Sequence, residues 1–115
     1  MVTLCLNLFQ FSPYVGGTPD LPVELDAAAR AGFELVGLDT FSAHVEEQRG
    51  RSLHDIRALL DDHGLRCFEV LGIDVGADDD LALNGARLAA ELVAATGAEY
   101  VLTVVSAPTD ALRST

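Results

Sequence analysis

The chain has 115 residues, half of them apolar and 22% charged, with 18 acidic against 7 basic side chains and a formal net charge of −11. That length and balance fit a single globular domain over residues 1–115 and exclude a disordered chain. The acidic surface repels phosphate backbones, which argues against a nucleic-acid partner and fits a small-molecule ligand.

Cys5 and Cys67 lie in apolar runs without CxxC or Cys/His spacing, so zinc and dithiol motifs are absent and both read as reduced core thiols. No basic segment opens the chain, and Asn7 and Gln10 interrupt its first apolar run. No stretch approaches the roughly 18 apolar residues that suggest a membrane span. A cytoplasmic protein with no membrane partner is the expectation.

In chain order, residues 2–9 predict a first strand and 10–18 a loop with the pair Gly16-Gly17. Thr18 or Asp20 is placed to cap a helix with Pro19 or Pro22 in its first turn and Leu21, Leu25 and Ala28 on one face. Gly32 supplies its stop, and 33–39 predicts the second strand. A polar loop is expected over 40–51, then a capping-box variant, Ser52-Leu53-His54-Asp55, with Asp in place of Glu or Gln. The helix it opens turns Leu53, Ile56 and Leu59 or Leu60 inward and ends at His63-Gly64. Residues 65–71 predict the third strand and 72–78 a loop. The acidic run Asp78 to Asp80 reads as a helix N-terminus, followed by a helix over about 80–96 with Leu81, Leu88, Leu92 and Ala95 on one side. Gly97 ends it, 100–105 predicts the fourth strand, and 106–115 lacks a full helix.

Gly32, Gly64 and Gly97 stand 32 and 33 residues apart, each ahead of an apolar run. That interval is about one βαβ unit, so the order β-α-β-α-β-α-β predicts a parallel sheet with about four strands and three helices. Strand parity then separates two architectures. One set of alternate residues is uniformly apolar: Leu4, Leu6, Leu8, Val36, Leu38, Phe68, Val70, Leu102 and Val104. The other set mixes Cys5, Phe9, Leu35, Gly37, Cys67, Leu71, Val101 and Val105 with the polar Thr3, Asn7, Asp39, Glu69 and Thr103. A doubly wound sheet of the flavodoxin or receiver type tends to be apolar on both faces, whereas a (β/α)₈ barrel has helices outside only. The asymmetry favours a partial TIM-type barrel, the N-terminal half, since a whole one takes roughly 250 residues.

Asn7, Asp39 and Glu69 fall on the inward set toward the carboxyl ends of their strands, where barrel sites form, and His44 follows on the loop after the second strand. These four are the candidate substrate-binding residues. Asn7 can orient a hydroxyl, and paired inward carboxylates can accept hydroxyl hydrogens or shift each other's protonation. Phe9 and Phe41 are placed to wall such a pocket. His54 and His63, at the two ends of the second predicted helix, read as structural.

The segments Ala31-Gly32-Phe33-Glu34-Leu35-Val36-Gly37-Leu38, His63-Gly64-Leu65-Arg66-Cys67 and Thr96-Gly97-Ala98-Glu99-Tyr100-Val101 carry a resemblance, as does the helix from Ser52 to Leu65. The chain resembles the sugar phosphate isomerase/epimerase group of xylose-isomerase-like TIM barrels. The resemblance implies a divalent-metal enzyme (Mn, Mg, Co or Zn) acting on a sugar or polyol, or a dehydratase of the same superfamily acting on a polyol or keto-acid. In that group the metal ligands belong to later strands, so no residue here is matched to them, and the chain alone is expected to lack turnover. A related endonuclease branch is disfavoured by the acidic charge and by the absence of histidines after strands three and four. Self-association, or completion by a C-terminal half, is the expected partnership; a half-barrel acting through association alone is the non-catalytic reading.

Overall fold

Helices among the described residues begin or end on local chemistry that the sequence carries, although the cap expected of Asp20 makes no side-chain hydrogen bond. The computed structural model describes residues 2–76 and 78–105. Strands β1 (Cys5–Asn7), β2 (Leu35–Asp39), β3 (Arg66–Val75) and β4 (Tyr100–Val105) alternate with helices α1 (Leu21–Arg30), α2 (Thr40–Gln48), α3 (Leu53–Asp62) and α4 (Asp79–Thr96). Two short 3-10 turns, Leu8–Phe11 and Pro13–Val15, follow β1. Gly32, Gly64 and Gly97 all have positive φ, 90°, 66° and 77°, a left-handed geometry that ends a helix and turns the chain into the next strand. Ser52 and Asp55 complete a reciprocal capping box, each side chain accepting from the other's backbone N–H. Asp78 caps α4 by accepting from the Leu81 N–H at 3.1 Å, so the acidic run does serve a helix start.

The four strands lie in the order β1-β2-β3-β4, every neighbour parallel. Consecutive order with no reversal is the winding of a barrel and not of a doubly wound sheet, whose strand order switches direction. One face packs against helices. Val36, Leu38 and Val70 join Leu25, Ala28, Ile56, Leu60 and Leu92 in one hydrophobic core.

The observed elements depart from the expected ones in four places, each for a physical reason. The polar loop expected over 40–51 is instead helix α2, so there are four helices among the described residues. Its buried face is Thr40, Ala43 and Glu46, which gives no apolar stripe to detect. β1 is short because the Asn7 side chain accepts the Phe9 N–H and winds Leu8 and Phe9 into a turn. β3 runs on through residues 72–75, expected as loop. Leu81 is exposed, since the buried residues of α4, Ala89, Leu92 and Thr96, all lie in its second half. The expectation for 106–115 lies outside the described residues.

One register shift and the pairing of β4 also reset the expected faces. Val36 pairs with Cys67 but Gly37 pairs with Glu69, so Phe68 is an extra residue and Cys67 turns to the helical side with Val36. Cys67 is accordingly buried in the core and not on the inward face. Along β4, Val101 pairs with Val70, while Tyr100 and Leu102 pair with Glu69 and Leu71. The inward residues of β4 thus begin at Tyr100 and Leu102, the reverse of the expected phase. β4 is apolar on both faces, and alternation alone cannot orient such a strand. Among the described residues no helix is long and apolar enough to cross a membrane.

Candidate functional site

Asn7, the last residue of β1, is in register with Gly37, which is in register with Glu69, which is in register with Tyr100. These four form one layer across the inward face. Asn7 and Glu69 are two strands apart, roughly 10 Å between backbones, yet Asn7 Nδ2 donates to Glu69 Oε1 at 2.8 Å. Gly37 makes this possible. A Cβ there would lie 2.8 Å from Asn7 Nδ2 and 3.0 Å from Glu69 Cγ, in the space where the two side chains meet. Asn7 Oδ1 accepts the Phe9 N–H at 2.8 Å, which sets the amide with its nitrogen toward the carboxylate. Glu69 Oε1 is therefore held, and the carboxylate keeps a second oxygen with which to accept a hydroxyl.

The thiols near this layer are unsuited to nucleophilic work. Burial, with a smaller contribution from the Glu69 charge, raises the Cys5 pKa. Burial pushes Cys67 up to about 11. Both stay protonated and poorly nucleophilic near neutrality.

Asp39 is brought elsewhere. Only 2% exposed, its Oδ2 accepts from Ser12 Oγ at 2.7 Å and from the Ser42 N–H at 2.9 Å, capping α2 and tying down the segment after β1. It lines a void of about 10 Å³ with Glu24, Ser42 and core side chains, apart from the Asn7–Glu69 pair. Burial raises the Asp39 pKa, against the hydrogen bonds from Ser12 and Ser42 that lower it. Glu24 is raised for the same first reason, while its bond from the Asp20 N–H lowers it.

His44 is exposed on α2 and lines a separate hollow of about 640 Å³ between α2 and α4, with Tyr14, Phe41, Asn84 and Arg87. Phe41 stacks on Tyr14 at 4.7 Å, and Tyr14 on Phe9 at 5.6 Å, so the two aromatics expected as pocket walls join one ladder beside this hollow. Of the four candidates, then, only Asn7 and Glu69 meet. Reasoning from sequence put Gly37 on the inward face without giving it a role, and it missed Tyr100 as a member of the layer. The glycine inside a strand was the available signal, because such a residue marks a close approach.

Helix α2 is held by a second buried carboxylate. Glu46 is fully buried, bonded to Arg51 and 3.3 Å from Arg49 Nη1, which also reaches the Pro19 carbonyl ahead of α1. This is a brace between helices and not a metal cage.

Among the described residues no three His, Cys, Asp or Glu side chains converge to hold a metal ion. Glu69 is engaged by Asn7, and Asp39 by Ser12 and Ser42. The donors present therefore do not fit the divalent ion that the sequence resemblance implies.

Among solved structures, this chain is similar to a xylose isomerase domain protein from Alicyclobacillus acidocaldarius subsp. acidocaldarius, at a TM-score of 0.61 and 22% identity. The fold is part of a xylose-isomerase-like TIM barrel. The match covers 86% of this chain and 35% of that protein, so the chain spans about a third of its length. No protein-family model matches the chain, and no curated protein does. The Asn7–Glu69 layer lies on the face of the sheet turned away from the helical core.

Proposed function

We propose that the Asn7–Glu69 layer forms one wall of a pocket for a sugar or related polyol, within a barrel that isomerises or epimerises it. The observation that carries this reading is the Asn7–Glu69 hydrogen bond across Gly37, on the inward face of a xylose-isomerase-like fold. A carboxylate oriented by a neutral amide accepts a ligand hydroxyl without the competing pull of a cation. Tyr100 offers an aromatic surface beside it, against which the apolar face of a sugar ring can rest. The role of these residues is recognition and orientation. The divalent ion and the proton-transferring carboxylates of such a reaction would come from strands beyond these four.

Titrating isotopically labelled chain with ketoses, aldoses and polyols tests the reading at the Gly37 amide and the Asn7 side-chain amide. Saturable shifts at both are expected, weakened about tenfold by Glu69→Gln, the equivalent of one charge-assisted hydrogen bond. Silence at both positions with every polyol tested would reject it.

A further inference from the structure

Asp39 is 2% exposed, and its two oxygens are treated very differently. Oδ2 accepts from Ser12 Oγ at 2.7 Å and from the Ser42 N–H at 2.9 Å. Oδ1 is fully buried with no hydrogen-bond partner among the described residues, and so is Ser42 Oγ. Burial raises the Asp39 pKa, and the Ser42 hydroxyl is near enough to oppose that rise, yet it makes no bond of normal geometry. Buried polar atoms are costly to leave so, and two in one place call for a partner. Both side chains line the space of about 10 Å³ described above, and Glu24 of α1 lines it too. The rest of the wall is aliphatic, from Leu8, Leu21, Leu38, Ala43 and Ile56. It is built by the turn after β1 and by α1, β2, α2 and α3, inside the helical core.

We infer that this space holds one water molecule, which bridges Asp39 Oδ1, Ser42 Oγ and the Glu24 carboxyl. Volume and partners agree. A single water needs about 10–15 Å³ and makes about three hydrogen bonds when buried. The Ser12 hydroxyl fixes the polarity of the site. Ser12 Oγ accepts the Tyr14 N–H at 3.1 Å and turns its own hydrogen to Asp39 Oδ2. With Oδ2 taken by two donors, a proton on Asp39 resides on Oδ1. Water accepts from Oδ1 when that oxygen is protonated and donates to it when it is ionised. A hard cation takes about six or more oxygen ligands, which three side chains in an aliphatic wall do not supply. The water joins α1, the end of β2 and the first turn of α2 through one molecule. It lies apart from Asn7 and Glu69 and is independent of the ligand proposed there.

High-resolution diffraction from crystals of the protein tests it. One water peak is expected about 2.5–3.0 Å from both Asp39 Oδ1 and Ser42 Oγ. Crystals soaked in rubidium chloride should show no anomalous peak there. Ser42→Val, which puts methyl groups in place of the hydroxyl, should fill the space and lose the water peak. In solution, nuclear Overhauser transfer from a long-lived water to the Leu38 and Ile56 methyl groups is expected in the parent and lost in the variant. If the variant unfolds, the density and the water contacts of the parent decide alone. A direct Asp39–Ser42 side-chain hydrogen bond with no water peak, a rubidium peak at the site, or a water that Ser42→Val leaves in place would overturn the inference.

Discussion

Gly37 shows how the absence of a side chain can build a site. Its two neighbours in register, Asn7 and Glu69, are polar and reach toward each other over a gap that any Cβ would fill. Gly37→Ala places a methyl 2.8 Å from Asn7 Nδ2, and the hydrogen bond must open. The expected cost is about 1–3 kcal/mol, in the range for overpacking, read from urea denaturation. The same variant should lose sugar-induced shifts at the Asn7 amide. An unchanged midpoint would mean that the strands part easily and that the layer is not close-packed. Asn7 and Glu69 were legible as candidates from strand parity alone. Their pairing was not, because it spans 62 positions in sequence and depends on a bulge that no local pattern announces.

At the scale of elements, Asp39 links three pieces of the chain: it ends β2, caps α2 through the Ser42 N–H, and holds Ser12 of the turn after β1. Its buried carboxyl has a pKa raised above the ordinary 3.8. A carboxyl raised in the folded state binds its proton more tightly folded than unfolded. Its stabilising contribution is complete below the ordinary value and is lost as pH rises through the raised one. Asp39→Asn removes that titration while keeping an oxygen to cap α2. Stability of the parent should therefore fall relative to the variant as pH climbs from 3.8 toward neutrality, by urea melts at several pH values. Parallel stability–pH curves for the two proteins would contradict this. Helix α2 itself was hidden from sequence reading. It buries Glu46 where periodicity looks for an apolar residue, and only its arginine partners make that burial tolerable.

At the scale of the whole molecule, the net charge of −11 opposes the compact state through self-repulsion. Repulsion between solvent-exposed charges is screened by salt over a Debye length of about 8–10 Å near physiological ionic strength. Stability should therefore rise as salt is raised from low to physiological levels, seen as a higher midpoint in urea denaturation. A midpoint that falls with salt would mean that favourable ion pairs outweigh the repulsion. The chain's order of parallel strands and its one-sided core are those of a barrel segment.

The sequence by itself determined the βα repeat, the glycine that ends each unit and the capping of α3 and α4. These depend on contacts within a few residues, where propensity and hydrogen-bonding chemistry are local. It also determined which face of β2 meets the helices, because Val36 and Leu38 contrast with Gly37 and Asp39. Tertiary structure decided the phase of β4, the turning of Cys67 into the core, the capture of Asp39 by Ser12 and the meeting of Asn7 with Glu69. Each is a matter of register between strands distant in sequence. Alternation sets which residues share a face within one strand, but only the pairing of strands sets which faces meet.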